Sequence, residues 1–212
     1  INYTVPDIAG LAQGPRNLVA SATDAAGNIR TGPPVSVDKD TLAPAQAISI
    51  VGVNDDQAPI VGNVTSGGVT NDQTPTINGS VVGGLASGES IRVLRDGVFI
   101  GSASAIGTSW SFSDGLGGSG TYSYTAQIID AAGNLGTNVA AAYSIVLDTV
   151  APTQTASITS LTDDFPSGIR IVASGASGND PNPILAGSIS SALNVGESLR
   201  IFRGGIEVGT AA

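Results

Sequence analysis

Residues 90–103 read Ser90-Ile-Arg-Val-Leu-Arg-Asp-Gly-Val-Phe-Ile-Gly-Ser-Ala103. Two short runs of strand-forming residues flank Asp96-Gly97, a pair that tolerates the positive φ values of a type I′ turn. The stretch therefore predicts a β-hairpin, Ser90–Arg95 against 98–103. Working outward, period-2 alternation recurs on both sides. On the N-terminal side, 46–53 carries Ile48 and Ile50 on one face, and 75–82 carries Ile77, Gly79 and Val81. On the C-terminal side, Trp110 alternates with Phe112. Tyr122, Tyr124, Ala126 and Ile128 form the next set, and Tyr143, Ile145 and Leu147 the last. Seven short strands separated by Gly, Asp, Asn, Ser and Pro turns, with no long helical pattern, predict an antiparallel β-sandwich. The Gly- and acid-rich stretch 54–73 has no clear alternation and reads as a long excursion between the first two strands.

The same strand pattern occurs more than once. Asp148-Thr-Val-Ala-Pro152 repeats Asp40-Thr-Leu-Ala-Pro44 at an offset of 108 residues, and the offset holds without gaps for about sixty residues. Asp55-Asp56 falls on Asp163-Asp164, Asn71-Asp72 on Asn179-Asp180, and Gly88-Glu89-Ser90 on Gly196-Glu197-Ser198. Upstream, Asp24-Ala-Ala-Gly-Asn28 matches Asp130-Ala-Ala-Gly-Asn134 at an offset of 106. A period of this size is that of a whole small domain rather than a solenoid unit. Cut at the Asp-Thr-x-Ala-Pro tags, the chain divides into the C-terminal part of one repeat (1–43), a complete repeat (44–150) and the N-terminal part of a further repeat (151–212). The two partial pieces total 105 residues, close to one period, so the sequence reads as a slice of a longer array cut out of phase with its domains.

Composition removes several functions. The 212 residues include 29 Gly and 11 Pro but no Cys, His or Met, which excludes a Ser-His-Asp triad, a thiol nucleophile and a His/Cys zinc site. Net charge is −9, from 17 acids against 8 Lys and Arg, so nucleic acid is not an expected partner. No run reaches the ~20 apolar residues of a membrane-spanning helix. Fourteen of the acids are Asp. Asp forms turns and ligates hard cations, so the bias fits loops that turn, bind calcium, or both.

Four motifs stand in order: Asn71-Asp72-x-x-Pro75-x-x-x-Gly79, Asp96-Gly97-x-x-x-Gly101, Asp130-Ala-Ala-Gly-Asn134 and Asp148-Thr-Val-Ala-Pro152. The ordered set resembles the bacterial immunoglobulin-like tandem repeats of giant surface adhesins, the biofilm-associated and repeats-in-toxin-type proteins. That resemblance covers nearly the whole chain. It implies an extracellular or cell-surface setting and tandem Ig-like sandwiches in an extended array. Their role is that of a non-catalytic extender supporting adhesion and biofilm formation, with calcium (Ca2+) binding near the domain junctions of many such arrays. The third copy departs from the pattern, with Arg203-Gly204-Gly205 in place of Arg95-Asp96-Gly97.

Calcium takes six to eight oxygen ligands. In a seven-strand sandwich the loop before the last strand lies at the end where the chain enters, so Asp130 and Asn134 are expected near Asp38 and Asp40 of the linker, with Glu89 at the same end. Asp148 and Glu197 are the equivalents for the next junction. Asp55, Asp56 and Asp72 form a further candidate cluster. The competing reading is that Asp in Asp-x-x-Gly-Asn caps its own turn and that Asn-Asp before Pro is loop punctuation. Trp110 reads as core filler, and Arg92, Arg95, Arg200 and Arg203 as strand-edge solvation.

Two functional alternatives remain open. The chain could be a subunit of an extracellular filament in which split Ig-like domains are completed by identical chains, since unpaired sheet edges are templates for association. It could also be a carbohydrate- or receptor-binding module, although 4% aromatic residues offer no obvious platform. Expected partners are neighbouring repeats of the same or identical chains, with any host or matrix ligand bound elsewhere. No enzyme is expected: carboxylate pairs exist, but nothing marks a substrate floor.

Overall fold

The structure, a computed structural model, describes residues 10–165 and 168–211. All its regular elements are strands. In chain order these begin with β1 (Gly14–Leu18), β2 (Ser21–Thr23), β3 (Ile29–Thr31) and β4 (Val35–Lys39). Then come β5 (Ile48–Asp55), β6 (Gly62–Val64), β7 (Gly68–Thr70), β8 (Thr76–Val81), β9 (Ser90–Arg95) and β10 (Val98–Ile106). After them lie β11 (Ser109–Ser113), β12 (Gly120–Ile129), β13 (Leu135–Val139) and β14 (Tyr143–Leu147). The last are β15 (Ala156–Asp163), β16 (Arg170–Val172), β17 (Ile184–Ile189), β18 (Leu199–Arg203) and β19 (Ile206–Ala211). The chain forms two compact units that divide between Thr149 and Val150.

Strands β5 to β14 make an antiparallel Ig-like sandwich. One sheet runs β6-β5-β8-β11 and the other β9-β12-β14-β7, with β13 on the edge of β12. Strand β10 belongs to both: residues 98–103 pair with β9 and the last three, 104–106, with β11. The β9–β10 hairpin turns at Asp96 (φ 52°) and Gly97 (φ 79°), the left-handed pair a type I′ turn needs. The third copy makes the same turn with Gly204 (φ 57°) and Gly205 (φ 83°), so losing the Asp leaves the geometry intact.

The expected count of seven strands becomes ten. The extra three are β6, β7 and β13, each three to five residues long. Stretch 54–73 is thus not a bare excursion. It pairs first with β5 through β6, then crosses to the other sheet, where β7 runs parallel to β14. Strands this short and glycine-rich carry no measurable alternation, which is why the sequence hides them.

The core lies between the sheets. Ile77, Val81, Ile91, Val93, Tyr124, Ala126, Ile128, Ile145 and Leu147 are all at most 2% exposed. Each falls on the phase set by its strand's alternation. Strand β5 changes phase midway: a bulge between Ile50 and Gly52 moves the inward set from Ile48 and Ile50 to Val53 and Asp55. Trp110 is core filler, 3% exposed, and its ring lies over Gly79, where an added Cβ would overlap both the indole and the Ser49 carbonyl oxygen.

The flanking segments reproduce parts of this sandwich in register. Strand β1 pairs with β4 from Gly14↔Lys39 to Leu18↔Val35, matching β12 with β14 from Gly120↔Leu147 to Tyr124↔Tyr143. Strands β15, β16 and β17 repeat the pairing of β5, β6 and β8, including the bulge, now between Ile158 and Ser160. Strands β18 and β19 repeat β9 and β10 with their bulge.

Candidate functional site at the domain entrance

The Asp-Ala-Ala-Gly-Asn motif is a closed turn. Asp130 Oδ1 accepts hydrogen bonds from the backbone N–H groups of Ala132 (2.9 Å) and Asn134 (2.8 Å), and Oδ2 accepts from Asn134 Nδ2 (2.8 Å). Gly133 supplies the left-handed residue (φ 93°). Asp24 and Asn28 repeat these bonds at 2.9, 2.9 and 2.7 Å around Gly27. The Asn134 side chain holds the Asp130 carboxyl below the usual Asp range; desolvation opposes this and the backbone donors reinforce it. Asp24 shifts the same way, with the Asn28 side chain as the main cause.

This turn also grips the incoming chain. Asn134 Nδ2 donates to the Asp40 carbonyl oxygen at 3.2 Å, the Thr137 N–H donates to the Pro44 carbonyl at 3.0 Å, and Asn138 Nδ2 donates to the Ala45 carbonyl at 2.8 Å. On the other side of the entrance, Glu89 Oε2 accepts from Gln46 Nε2 (2.6 Å) and the Ala86 N–H (2.7 Å). The next copy repeats the clasp: Glu197 Oε2 accepts from Gln154 Nε2 (2.9 Å) and the Asn194 N–H (2.7 Å). The Asn194 backbone donor chiefly, with its side chain and Gln154, holds the Glu197 carboxyl below its ordinary value, against desolvation. Asp40 Oδ1 caps the Leu42 N–H at 3.0 Å, Asp38 lies in β4 opposite Pro15, and exposed Asp148 donates its N–H to the Thr70 carbonyl.

The third candidate cluster has two buried carboxylates, each held by hydrogen bonds. Asp55 (4% exposed) accepts from Thr70 Oγ1 (2.6 Å) and the Gln57 N–H (2.8 Å). Asp72 (2% exposed) accepts from the N–H groups of Asp56 (3.3 Å) and Thr74 (2.7 Å) and from the Thr74 hydroxyl. Asp56 itself is exposed.

Among the described residues, no three acidic side chains are grouped so as to hold a metal ion. The structure brings Asp130 and Asn134 to the linker backbone and Glu89 to Gln46, but it does not gather the carboxylates into a ligand set. Asp130 caps donors of its own loop, while Glu89 and Asp55 also accept from Gln46 and Thr70 farther along the chain. Among the described residues there is thus no ready-made carboxylate cage of the kind the resemblance implies.

One buried charge carried no sequence signal. Asp114, 7% exposed, accepts from Arg95 Nη1 at 2.7 Å and from the Tyr124 hydroxyl at 2.9 Å. Arg95 also donates to the Gly115 carbonyl at 3.2 Å and stacks 5.6 Å from the Tyr122 ring centroid. Burial pushes the Tyr124 phenol well above its ordinary value, and the hydrogen bond to Asp114 adds to this. Arg95 is therefore a core-facing ion-pair partner, not the edge solvation expected for it. Arg92 lies over the Phe99 ring at 4.8 Å. Arg200 pairs with Glu207 at 3.6 Å across an exposed hairpin.

Residues 47–149 match a family model described as a bacterial Ig-like domain. A search of curated proteins gave no match. Domains of this family fit structural or surface modules, are generally non-catalytic, and are often found in surface or extracellular proteins. No described helix is long and apolar enough to cross a membrane. The matched residues span β5 to β14, so the part of the chain that is similar to this family is the complete sandwich.

Proposed function

We propose that the chain is an extender segment of a large bacterial surface adhesin, in which Ig-like units in series hold a binding tip away from the cell. The observation that carries this reading is the repetition of strand register. The β1/β4 pairing reproduces β12/β14, and β15 to β19 reproduce β5, β6 and β8 to β10, bulges included. Serial copies of one sandwich, each clasped to the preceding linker by the same Glu–Gln pair, serve length rather than chemistry. The entrance bonds from Asn134, Thr137 and Asn138 to linker carbonyls support a stiff junction. Strands of five to ten residues at ~3.3 Å per residue, plus loops, give each unit a reach of roughly 35–45 Å.

The test is deletion of residues 44–150 from the parent protein. Surface projection should shorten by about one unit while binding per molecule is retained. Loss of binding with unchanged reach would overturn the extender reading in favour of a binding module.

A further inference from the structure

The excursion 54–73 joins the first strand of the complete sandwich to the last. Through β6 it holds the end of β5, at Val53↔Val64, Asn54↔Asn63 and Asp55↔Gly62. Through β7 it holds the end of β14, from Ile145↔Gly68 to Leu147↔Thr70. Two more bonds bracket that ladder: the Gly67 N–H donates to the Ser144 carbonyl (2.8 Å) and the Asp148 N–H to the Thr70 carbonyl (2.9 Å). The Tyr143 hydroxyl donates to the Val64 carbonyl at 2.6 Å, which ties β14 to the β6 segment as well. Inside the sandwich the Thr70 hydroxyl donates at 2.6 Å to Asp55, the last residue of β5, and both residues are buried. Gly68 keeps the crossing short, since an added Cβ there would meet the Thr65 carbonyl oxygen at 2.8 Å.

The directions of the two terminal strands give this arrangement a mechanical meaning. Passing from β14 through β12, β9, β10, β11 and β8 to β5 takes six antiparallel steps, so β5 and β14 run in the same sense. The chain enters this domain at the start of β5 and leaves it at the end of β14. Tension between those two points draws β5 and β14 along their own axes in opposite directions. Ladder hydrogen bonds lie across the strands, so such a slide strains them together instead of opening them in turn. Strands β5 and β14 belong to different sheets. On one side of the sandwich β10 crosses between the sheets, and on the side of the two pulled strands the excursion does so.

We propose that the β6–β7 excursion is a staple that resists tension along the chain, with the Thr70–Asp55 bond as its closing link. Load then passes from β5 through Asp55 and Thr70 to β7, and from β7 to β14. Forced unfolding follows the unfolding rate and not the equilibrium stability, so a bond on this path matters more under load than at rest. The inference rests on the extender reading for the source of the load, but its test uses the purified chain alone.

The full-length chain is held by tags at its two ends and stretched at fixed load in single-molecule force spectroscopy. Release of residues 44–149 adds roughly 310–340 Å of chain, more than either flanking segment can give. The comparison geometry holds the chain at Gly117→Cys and at its C-terminal end. Gly117 is exposed in the loop before β12, and an added Cβ there meets nothing. That pull peels β14 from Leu147↔Gly120 onward, one pair at a time. At equal load the end-to-end unfolding rate is expected to be lower than the peeling rate, on the order of 10-fold or more. Thr70→Val should raise the end-to-end rate on the order of 10-fold. It should leave the peeling rate unchanged, because peeling frees β14 before the Asp55 link is strained. Tyr143→Phe keeps the ring, removes only the bond to Val64, and should act in the same direction, which covers a Thr70 variant that fails to fold. Equal rates in the two geometries, or variants that speed both pulls alike, overturn the staple and leave the extender reading to its own deletion test.

Discussion

Replacing Arg95 by Met isolates the one ion pair set into the sandwich core. The change removes a 2.7 Å bond to Asp114, a 3.2 Å bond to the Gly115 carbonyl and the stack on Tyr122, and it leaves Asp114 with the Tyr124 hydroxyl alone. An exposed pair contributes about 0–1 kcal/mol, while removing one partner of a fully buried pair costs about 3–5 kcal/mol. Side-chain exposures of 28% for Arg95 and 8% for Asp114 put this pair between those limits. The expected loss is about 2–3 kcal/mol. Asp114→Asn should cost a similar amount, and the double variant less than the sum, with a coupling of about 1–2 kcal/mol. Trp110, the only tryptophan, is buried in this sandwich, so its emission during urea unfolding follows the complete domain and not the flanking segments. A cost below about 0.5 kcal/mol for Arg95→Met, or strict additivity with Asp114→Asn, would refute the argument that burial makes this pair matter. The same network has an alkaline signature. Because the folded Tyr124 pKa is raised, its contribution is fully present below the ordinary value of 10 and is lost as pH climbs from there toward the folded value. Tyr124→Phe should flatten that decline.

Three further outcomes follow from the geometry. Gly79→Ala should destabilise the sandwich by roughly 3 kcal/mol, read by Trp110 emission, because the new methyl collides with a backbone carbonyl that cannot rotate away as well as with the indole. At acid pH, the depressed carboxyl of Asp130 contributes stability that is present above the ordinary Asp value of 3.8 and lost as pH falls through the folded value; Asp130→Asn should remove that part of the acid transition in a pH-resolved unfolding series. Adding EGTA to the purified chain tests the calcium that the resemblance implies: a site held at 100 times its dissociation constant would add about 2.7 kcal/mol, so an unchanged unfolding midpoint would count against a bound ion.

What the sequence reveals is the part of the fold governed by period 2. Ile77, Val81, Tyr124, Ala126, Ile128, Ile145 and Leu147 all lie buried on the phase their spacing sets, and Asp96-Gly97 makes the turn its chemistry demands. The features it hides depend on contacts distant in sequence. The bulge at Ile50 reverses the alternation of β5 without any residue that announces it, and β7 exists because β14 offers it an edge some 75 residues later. Asp114 looked like any loop acid because its partners, Arg95 and Tyr124, reach it across neighbouring strands. Candidate residues were legible as turn formers for the same reason that they were ambiguous as ligands: the carboxylate that caps an N–H is the carboxylate that would coordinate a cation.

The two internal copies help resolve that ambiguity. Asp55 and its equivalent Asp163 are both buried at the start of the excursion, at 4% and 1% exposure. In the first copy the donor is the Thr70 hydroxyl, and position 62 is Gly. In the second, the equivalent of Thr70 is Gly178, and the equivalent of Gly62 is Arg170, whose Nε and Nη2 reach Asp163 Oδ2 at 3.1 and 2.6 Å. Desolvation pushes the Asp163 carboxyl up, but Arg170 and the Asn179 and Phe165 N–H groups together hold it below its ordinary value. Gly178 makes the swap sterically possible, since an added Cβ there would stand 3.2 Å from Asp163 Oδ2. The feature kept between the copies is a buried carboxylate with its hydrogen bonds satisfied, and the donor is free to change from hydroxyl to guanidinium as long as that condition is met. Thr70→Val in the first copy should therefore be costly, read by Trp110 emission in urea, because it leaves the buried Asp55 carboxylate without its hydroxyl donor.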